Sequence, residues 1–96
     1  MIQSFGDKRT QDIWDGVASA VARSFPAELL KTAVRKLDLI NAAHRLADLA
    51  RPPGNKLESL KGNRQGYHSI RINIQWRIVF RWSDAGAHDV EIEDYH

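Results

Sequence analysis

Residues 66–82, Gly-Tyr-His-Ser-Ile-Arg-Ile-Asn-Ile-Gln-Trp-Arg-Ile-Val-Phe-Arg-Trp, give the strongest indication of the fold. Apolar and polar side chains alternate along it, and a period of two is typical of a strand with one buried face. The pattern predicts two strands, residues 67–72 and 74–82. The predicted inward face consists of His68, Ile70, Ile72, Trp76, Ile78, Phe80 and Trp82.

A three-residue connection at 73–75 sets the register between these two strands. It places Ile70 opposite Ile78 and keeps apolar side chains on one face, whereas a two-residue turn would mix the core and solvent faces. The same register places Arg71 opposite Arg77 on the outward face. Because like charges directly opposite each other destabilise a sheet by about 0.2–1 kcal/mol, we expect an anion beside them.

A third strand and a bound phosphate are the two candidate sources of that anion. Val90 and Ile92 predict the inner face of the strand, so that Glu91 and Glu93 lie outward, where they can neutralise the arginines. A phosphate can do the same, because the planar guanidinium fork suits its oxygens. Tyr95 shares the outward face with the arginines.

Helical periodicity precedes the sheet. From Thr10 as the N-cap, apolar side chains recur every three or four residues, and Pro26 ends this first helix. A second helix begins near Leu30 and carries an apolar stripe that reaches His44. Residues 51–66 are rich in Pro, Gly and charged residues, which predicts a long loop. The order predicts an α+β fold, with two helices packed on one face of a small, mainly antiparallel, twisted sheet.

The composition bounds the class of protein. A chain of 96 residues is long enough for a single domain, residues 1–96, with a small core. There is no cysteine, which excludes disulfide scaffolds and Cys-ligated zinc modules, and no apolar run is long enough to span a membrane. We therefore expect a cytoplasmic protein.

The charge is distributed unevenly, although its sum is only +2. Residues 51–81 contain seven basic residues and one acidic residue, whereas residues 82–96 contain five acidic residues and no Lys or Arg. A basic segment beside an acidic strand predicts mutual neutralisation within the sheet, a site for a polyanion, or both.

The basic loop and the outward sheet face predict one cluster of side chains. Lys61 and Arg64 come from the loop, while Arg71, Arg77 and Tyr95 come from the sheet. Fixed cations beside a phenol suit the charge of a pentavalent phosphorane. The candidates for proton transfer are Tyr95, Lys61 and His96. The acids and histidines are not grouped at metal-ligand spacing, so we expect no metal site and favour RNA, whose own 2′-OH can attack.

Four short segments of the sequence are similar to those of a known protein family. They are Lys-Leu-Glu-Ser-Leu-Lys-Gly at 56–62, Gly-Tyr-His-Ser-Ile-Arg-Ile-Asn at 66–73, Gln-Trp-Arg-Ile at 75–78 and Glu-Asp-Tyr-His at 93–96. Together they closely resemble the HigB-type toxins of the RelE/ParE superfamily, and Pro-Pro-Gly-Asn at 52–55 is similar to a graT-like subgroup. The resemblance implies the toxin of a bacterial type II toxin–antitoxin system, whose concave sheet face enters the ribosomal A site. It also implies metal-free mRNA cleavage, in which the 2′-OH attacks the adjacent phosphate.

The resemblance implies roles for individual residues as well. Lys61 corresponds to a catalytic or phosphate-stabilising lysine, and Arg77 to an arginine that stabilises the transition state. Tyr95 and His96 correspond to a terminal pair used in proton transfer and substrate orientation. The basic residues expected to bind RNA phosphates are Lys56, Arg64, Arg71 and Arg81. No cofactor is implied.

Glu58 departs from the family pattern, since several HigB toxins carry a histidine at this position. A carboxylate can act as a general base, which makes Glu58 a candidate catalytic residue, but it also repels an RNA backbone. We therefore expect an endoribonuclease whose activity is weakened or organised differently at this position.

The family implies partners and leaves two alternatives. The partners are a small helix-turn-helix antitoxin, in an assembly of two toxins and two antitoxins, the ribosome with its mRNA, and operator DNA reached through the antitoxin.

One alternative is a gyrase poison of the same superfamily, which needs no ribonuclease cluster. The other is a non-enzymatic RNA- or ribosome-binding module that inhibits translation by occupancy.

Overall fold

Helices cover one face of a four-stranded antiparallel sheet in the computed structural model, which describes residues 1–95. The helices are α1 (Lys8–Asp15), α2 (Ala20–Arg23) and α3 (Leu30–Ala42). The strands are β1 (Glu58–Ser59), β2 (Tyr67–Arg71), β3 (Trp76–Ser83) and β4 (Gly86–Asp94), paired in that order. This arrangement confirms the predicted α+β fold. Within residues 1–95, no helix is long and apolar enough to cross a membrane.

The predicted register between β2 and β3 is confirmed. Ile70 lies opposite Ile78, and Arg71 lies opposite Arg77. Phe80 and Trp76 are buried in the core and Trp82 is partly buried against it, which confirms that the aromatic side chains of β3 lie on the inward face. The outward positions of β2 and β3 are thereby fixed relative to each other.

The first predicted helix is wrong in its extent. The α1 helix is capped by Asp7, whose carboxylate accepts a hydrogen bond from the Thr10 N–H, and it ends at Gly16, which has a φ of +76°. A left-handed residue of this kind stops a helix, and glycine adopts it without a Cβ clash. Residues 1–95 therefore contain three α-helices where two helices were predicted. Thr10 lies inside α1, and its buried hydroxyl accepts a hydrogen bond from the Ile92 N–H at 2.9 Å.

The predicted stripe of the second helix is correct in its centre and wrong at its end. Ala33, Leu37 and Ile40 of α3 are fully buried. His44 is exposed, because α3 ends at Ala42 and the next residue is extended. The stripe therefore stops one turn earlier than its sequence pattern indicates.

Strand β1 and an N-terminal arm, residues 1–5, lie along the two edges of the predicted sheet. Strand β1 lies within the predicted loop and pairs with β2 through Glu58 opposite Ser69. The N-terminal arm lies parallel to β4, with a bridge between Ile2 and Ala87. Gly86 makes this possible, because a Cβ there would lie 2.0 Å from the Met1 carbonyl oxygen. The buried hydrophobic residues of the helices and the sheet form one cluster. The single domain spanning residues 1–96 stays a prediction.

Candidate active site

Arg77 lies on the outward side of β3 but is buried, with 3% of its surface exposed. Its Nε donates a hydrogen bond to Ser69 Oγ at 2.8 Å. Its Nη2 donates to the Lys56 carbonyl at 2.6 Å and to the Ser69 carbonyl at 3.3 Å. The Tyr95 ring centroid lies 5.4 Å from its Cζ. The predicted open sheet face is therefore wrong at this position, because the chain that leads into β1 and the Tyr95 ring lie against the guanidinium.

Glu58 supplies the anion that the opposed arginines require. Its Oε1 lies 3.4 Å from Arg77 Nη1, and its side chain is 52% exposed. Burial lowers the pKa of the Arg77 guanidinium and Arg71 adds to this shift, whereas the Glu58 carboxylate opposes it. Glu93 was predicted to neutralise the opposed arginines, but it accepts a hydrogen bond from Arg64 at 2.6 Å. Glu58 takes the position beside Arg77 instead.

A shallow groove, which we call the C-terminal groove, lies between the end of β4 and the loop after β1. Its lining consists of Leu60, Lys61, Arg64, Glu93, Asp94 and Tyr95. The backbone N–H of Tyr95 donates to the Gln75 carbonyl at 2.6 Å, which holds the end of the chain against the β2–β3 turn. Lys61 is exposed at the start of the 3₁₀ turn at 62–64. The hydrogen bond to Glu93 raises the pKa of Arg64. The structure thus brings Lys61, Arg64 and Tyr95 into one groove, and the Tyr95 ring also lies against Arg77.

Of the other predicted site residues that the structure describes, Arg71 and Lys56 lie next to Arg77 and Arg81 does not. Arg71 is half-buried opposite Arg77, and its side chain makes no hydrogen bond or ion pair within residues 1–95. Lys56 has an exposed side chain and a φ of +48°. Arg81 lies roughly 13 Å along β3 from Arg77, where its Nε donates to Asp89 Oδ2 at 2.7 Å. The structure therefore does not bring Arg81 into the cluster. His96, a predicted catalytic residue, lies outside the described residues.

Two buried polar residues that support the site were not predicted. Ser69 shares the outward parity of Arg71, which is the signal that could have identified it. Asn55 is fully buried, and its Oδ1 accepts a hydrogen bond from Lys36 Nζ at 2.6 Å. The Asn55 carbonyl accepts from the Arg71 N–H at 2.6 Å. Asn55 is thereby fixed between α3 and β2, and the next residue, Lys56, turns its carbonyl towards Arg77.

The described histidines do not belong to this cluster. His68 is only half-buried, its ring lies 6.1 Å from the Phe80 ring, and burial lowers its pKa. His88 Nε2 lies 2.7 Å from Ser83 Oγ at the β3–β4 hairpin. Among residues 1–95, no three His, Asp or Glu side chains are grouped so that they could hold a metal ion.

Related sequences match nearly the whole chain. The profile of the HigB-like toxins, described as the RelE-like toxin of type II toxin–antitoxin system HigB, matches residues 3–96. Toxin HigB-1 of Vibrio cholerae serotype O1 is 43% identical over 65 residues, which make up 68% of each chain. Endoribonuclease HigB of Proteus vulgaris is 36% identical over 97 residues and covers 100% of both chains.

Solved structures share the fold at lower identity. The YoeB–YefM complex from Staphylococcus aureus matches with a TM-score of 0.62 and 21% identity, covering 100% of this chain and 98% of the other. A second structure from the same organism is described as a heterotetrameric YoeB–YefM toxin–antitoxin complex and matches with a TM-score of 0.59, 22% identity, and coverage of 100% and 98%. At this identity the likeness establishes the fold alone.

Proposed function

Because this chain belongs to the HigB-like family, the RelE-like toxins of type II toxin–antitoxin systems, we propose that it is an endoribonuclease that cuts mRNA on the ribosome and so inhibits translation. The observation that carries the proposal is the position of Arg77. Its Nε and Nη2 are held by hydrogen bonds, its Nη1 makes only a 3.4 Å ion pair with Glu58, and its guanidinium lies against the ring of Tyr95, which lines the same groove as Lys61. A preorganised cation of this kind stabilises charge that develops in a transition state.

The reaction we propose needs no nucleophile from the protein. The 2′-oxygen of the RNA attacks the adjacent phosphorus, the bond from phosphorus to the 5′-oxygen breaks, and a 2′,3′-cyclic phosphate and a 5′-hydroxyl result. Nη1 of Arg77 and Nζ of Lys61 stabilise the charge on the non-bridging oxygens. The 2′-OH loses a proton and the departing 5′-oxygen gains one, and we assign these transfers to Tyr95 and His96.

The remaining basic residues contribute binding. Arg71 and Lys56 flank Arg77, and Arg64 lines the C-terminal groove, so all three are assigned to neighbouring phosphates. Such contacts position a nucleic acid without reading its bases. Arg81, at the far end of β3, is assigned to RNA or ribosomal phosphates outside the groove.

Partners follow from the family. We propose an antitoxin encoded with this protein, a helix-turn-helix partner that carries the contacts to operator DNA, and an assembly of two copies of each. The support is the family match and the heterotetrameric assembly of a structural relative. An enzyme that acts on translating ribosomes works in the cytoplasm, which is the location we assign.

A second candidate function is inhibition by occupancy. It is favoured by Glu58, which lies on the Arg77 nitrogen that the cleavage proposal reserves for phosphate. Cleavage and occupancy differ in whether Tyr95 variants still inhibit translation. Occupancy requires basic residues but no cut, so variants of Tyr95 would keep their inhibition of translation.

Cleavage in a translating system separates the candidates. Purified protein is added to ribosomes that translate a defined mRNA, and cut sites are mapped by primer extension. We expect cuts with the wild type and at least about a 100-fold slower reaction with Arg77→Ala or Tyr95→Ala. Lys31→Ala, on the exposed surface of α3, is the control and should cut normally. Intact mRNA with the wild type would contradict the proposal.

A further inference from the structure

The Glu58 carboxylate lies 3.4 Å from Nη1 of Arg77. We propose that Glu58 is a positioning residue whose carboxylate covers this nitrogen until an RNA phosphate displaces it. The inference rests on the proposed function in one respect, namely that the displacing phosphate belongs to RNA. It assigns Glu58 the role of a gate on Arg77 in place of a general base.

The count of arginine donors identifies the atom that the gate covers. A guanidinium has five N–H groups. Nε uses its N–H on Ser69 Oγ, and Nη2 uses its two on the Lys56 and Ser69 carbonyls. The two N–H groups of Nη1 are left for an outside ligand, and they face Glu58 Oε1 at 3.4 Å. A phosphate therefore meets Arg77 through Nη1, at the position that the Glu58 carboxylate occupies.

The distance between the two groups makes the exchange favourable. A charge-assisted hydrogen bond from nitrogen to oxygen measures about 2.7–2.9 Å, so a separation of 3.4 Å is a loose ion pair. A phosphate oxygen that approaches Nη1 to bonding distance gains more than Glu58 loses. The displaced carboxylate turns into solvent at little cost, because its side chain is already 52% exposed.

The surroundings of Arg77 explain why a gate is needed. A buried guanidinium without a counter-ion carries a large desolvation cost, and Arg71 directly opposite increases it. Glu58 supplies the counter-ion in the resting protein, and phosphate supplies it in the complex. Strand β1 is only two residues long and lies at the edge of the sheet, so its side chains can be displaced without breaking a long ladder.

This role predicts two effects of opposite sign for Glu58→Gln. The variant loses the resting counter-ion, so its thermal unfolding midpoint falls. The competition with phosphate also disappears, so RNA binding becomes tighter by about three- to tenfold. Glu28→Gln removes the same charge from an exposed position in the helical layer and should change the RNA affinity by less than about twofold.

The binding probe is a short fluorescent single-stranded RNA whose 2′-hydroxyls are methylated, so that it cannot be cut. Its dissociation constant is measured for the wild type, Glu58→Gln and Glu28→Gln. The comparison is repeated in an Arg77→Gln background, where the gain from Glu58→Gln should vanish because the gated cation is gone. A gain of equal size in that background would show a general charge effect and overturn the gate.

Cleavage on the ribosome then separates the gate from a base. A gate predicts that Glu58→Gln cuts at least as fast as the wild type in a single turnover. A general base predicts cleavage slower by about 100-fold with unchanged affinity, and this result overturns the proposal. Equal RNA affinities of Glu58→Gln and the wild type also overturn it. If the wild type binds RNA but leaves ribosomal mRNA intact, the nuclease function fails, whereas the gate is still decided by the binding experiment.

Discussion

Nε of Arg77 donates a hydrogen bond to the buried hydroxyl of Ser69 at 2.8 Å, across the ladder between β3 and β2. The Ser69 carbonyl accepts a second bond from the same guanidinium at 3.3 Å. The plane of the guanidinium is therefore set by the sheet itself. Positioning from a strand is more accurate than positioning from a loop.

Ser69→Ala should reduce cleavage and stability together. The substitution leaves Nε of Arg77 buried without an acceptor, which costs about 1–3 kcal/mol of the free energy of unfolding. Loss of the fixed plane should lower kcat by about tenfold and change KM less. The measurements are urea unfolding and single-turnover cleavage. Ser24→Ala, at an exposed serine of the helical layer, is the matched control. Normal cleavage by Ser69→Ala would show that this bond does not position Arg77.

Lys61→Gln should weaken RNA binding at low salt more than at high salt. Lys61 is exposed in the C-terminal groove, so we expect one phosphate contact through its ammonium group. The slope of the logarithm of affinity against the logarithm of salt concentration should then fall by about 0.7 for a single strand. Titrations of the methylated RNA at several salt concentrations measure it. Lys31→Gln serves as the control, and an unchanged slope for Lys61→Gln would remove Lys61 from the site.

Asn55→Ala should lower the free energy of unfolding by about 2–4 kcal/mol. Asn55 accepts from Lys36 Nζ at 2.6 Å, and burial lowers the pKa of that lysine, so loss of the amide leaves a buried ammonium without an acceptor. Adding Lys36→Met removes the charge and should recover much of the lost stability. Chemical denaturation of both variants and of the single Lys36→Met variant completes the cycle. Additive losses would contradict a direct interaction.

The stability of the fold should depend on pH through Glu91. Burial raises the pKa of the Glu91 carboxyl, with Glu93 and Asp7 adding to the shift and Arg64 opposing it. The folded protein therefore binds this proton more tightly than the unfolded chain, so the ionised carboxylate costs stability above its raised pKa. Glu91→Gln should raise Tm near neutral pH, and the gain should vanish below about pH 3.5, where the carboxyl is protonated in the folded and the unfolded protein. A gain that is independent of pH would contradict this assignment.

Much of the fold and part of the site could be predicted from sequence, because the signals are local. The period-two pattern of residues 66–82 and a three-residue connection suffice to place Arg71 opposite Arg77. The four short segments at 56–62, 66–73, 75–78 and 93–96 together indicate the HigB-like family, which the match over residues 3–96 confirms. The graT-like subgroup stays a prediction, as do the roles of the individual site residues.

The rest depends on contacts between distant parts of the chain. Strand β1 has two residues, which is too short for a periodic pattern, so Glu58 could not be paired with Arg77 in advance. Lys36 is a charged residue on a helix, and such residues are mostly exposed to solvent. It is nevertheless buried, because its ammonium group donates a hydrogen bond to Asn55. Glu58 covers the guanidinium of Arg77, and Lys36 fixes Asn55, whose neighbour Lys56 accepts a hydrogen bond from Arg77.

The chemistry of the cut end shows whether the RNA's own 2′-oxygen is the nucleophile. An mRNA with a single 2′-deoxy nucleotide at the mapped cut site is translated beside its all-ribose counterpart, and the products are analysed by mass spectrometry. We predict that the ribose mRNA yields a 2′,3′-cyclic phosphate and a 5′-hydroxyl, and that the deoxy mRNA stays intact at that site. Cleavage of the deoxy mRNA, or a product with a 3′-hydroxyl and a 5′-phosphate, would contradict attack by the RNA's own 2′-oxygen.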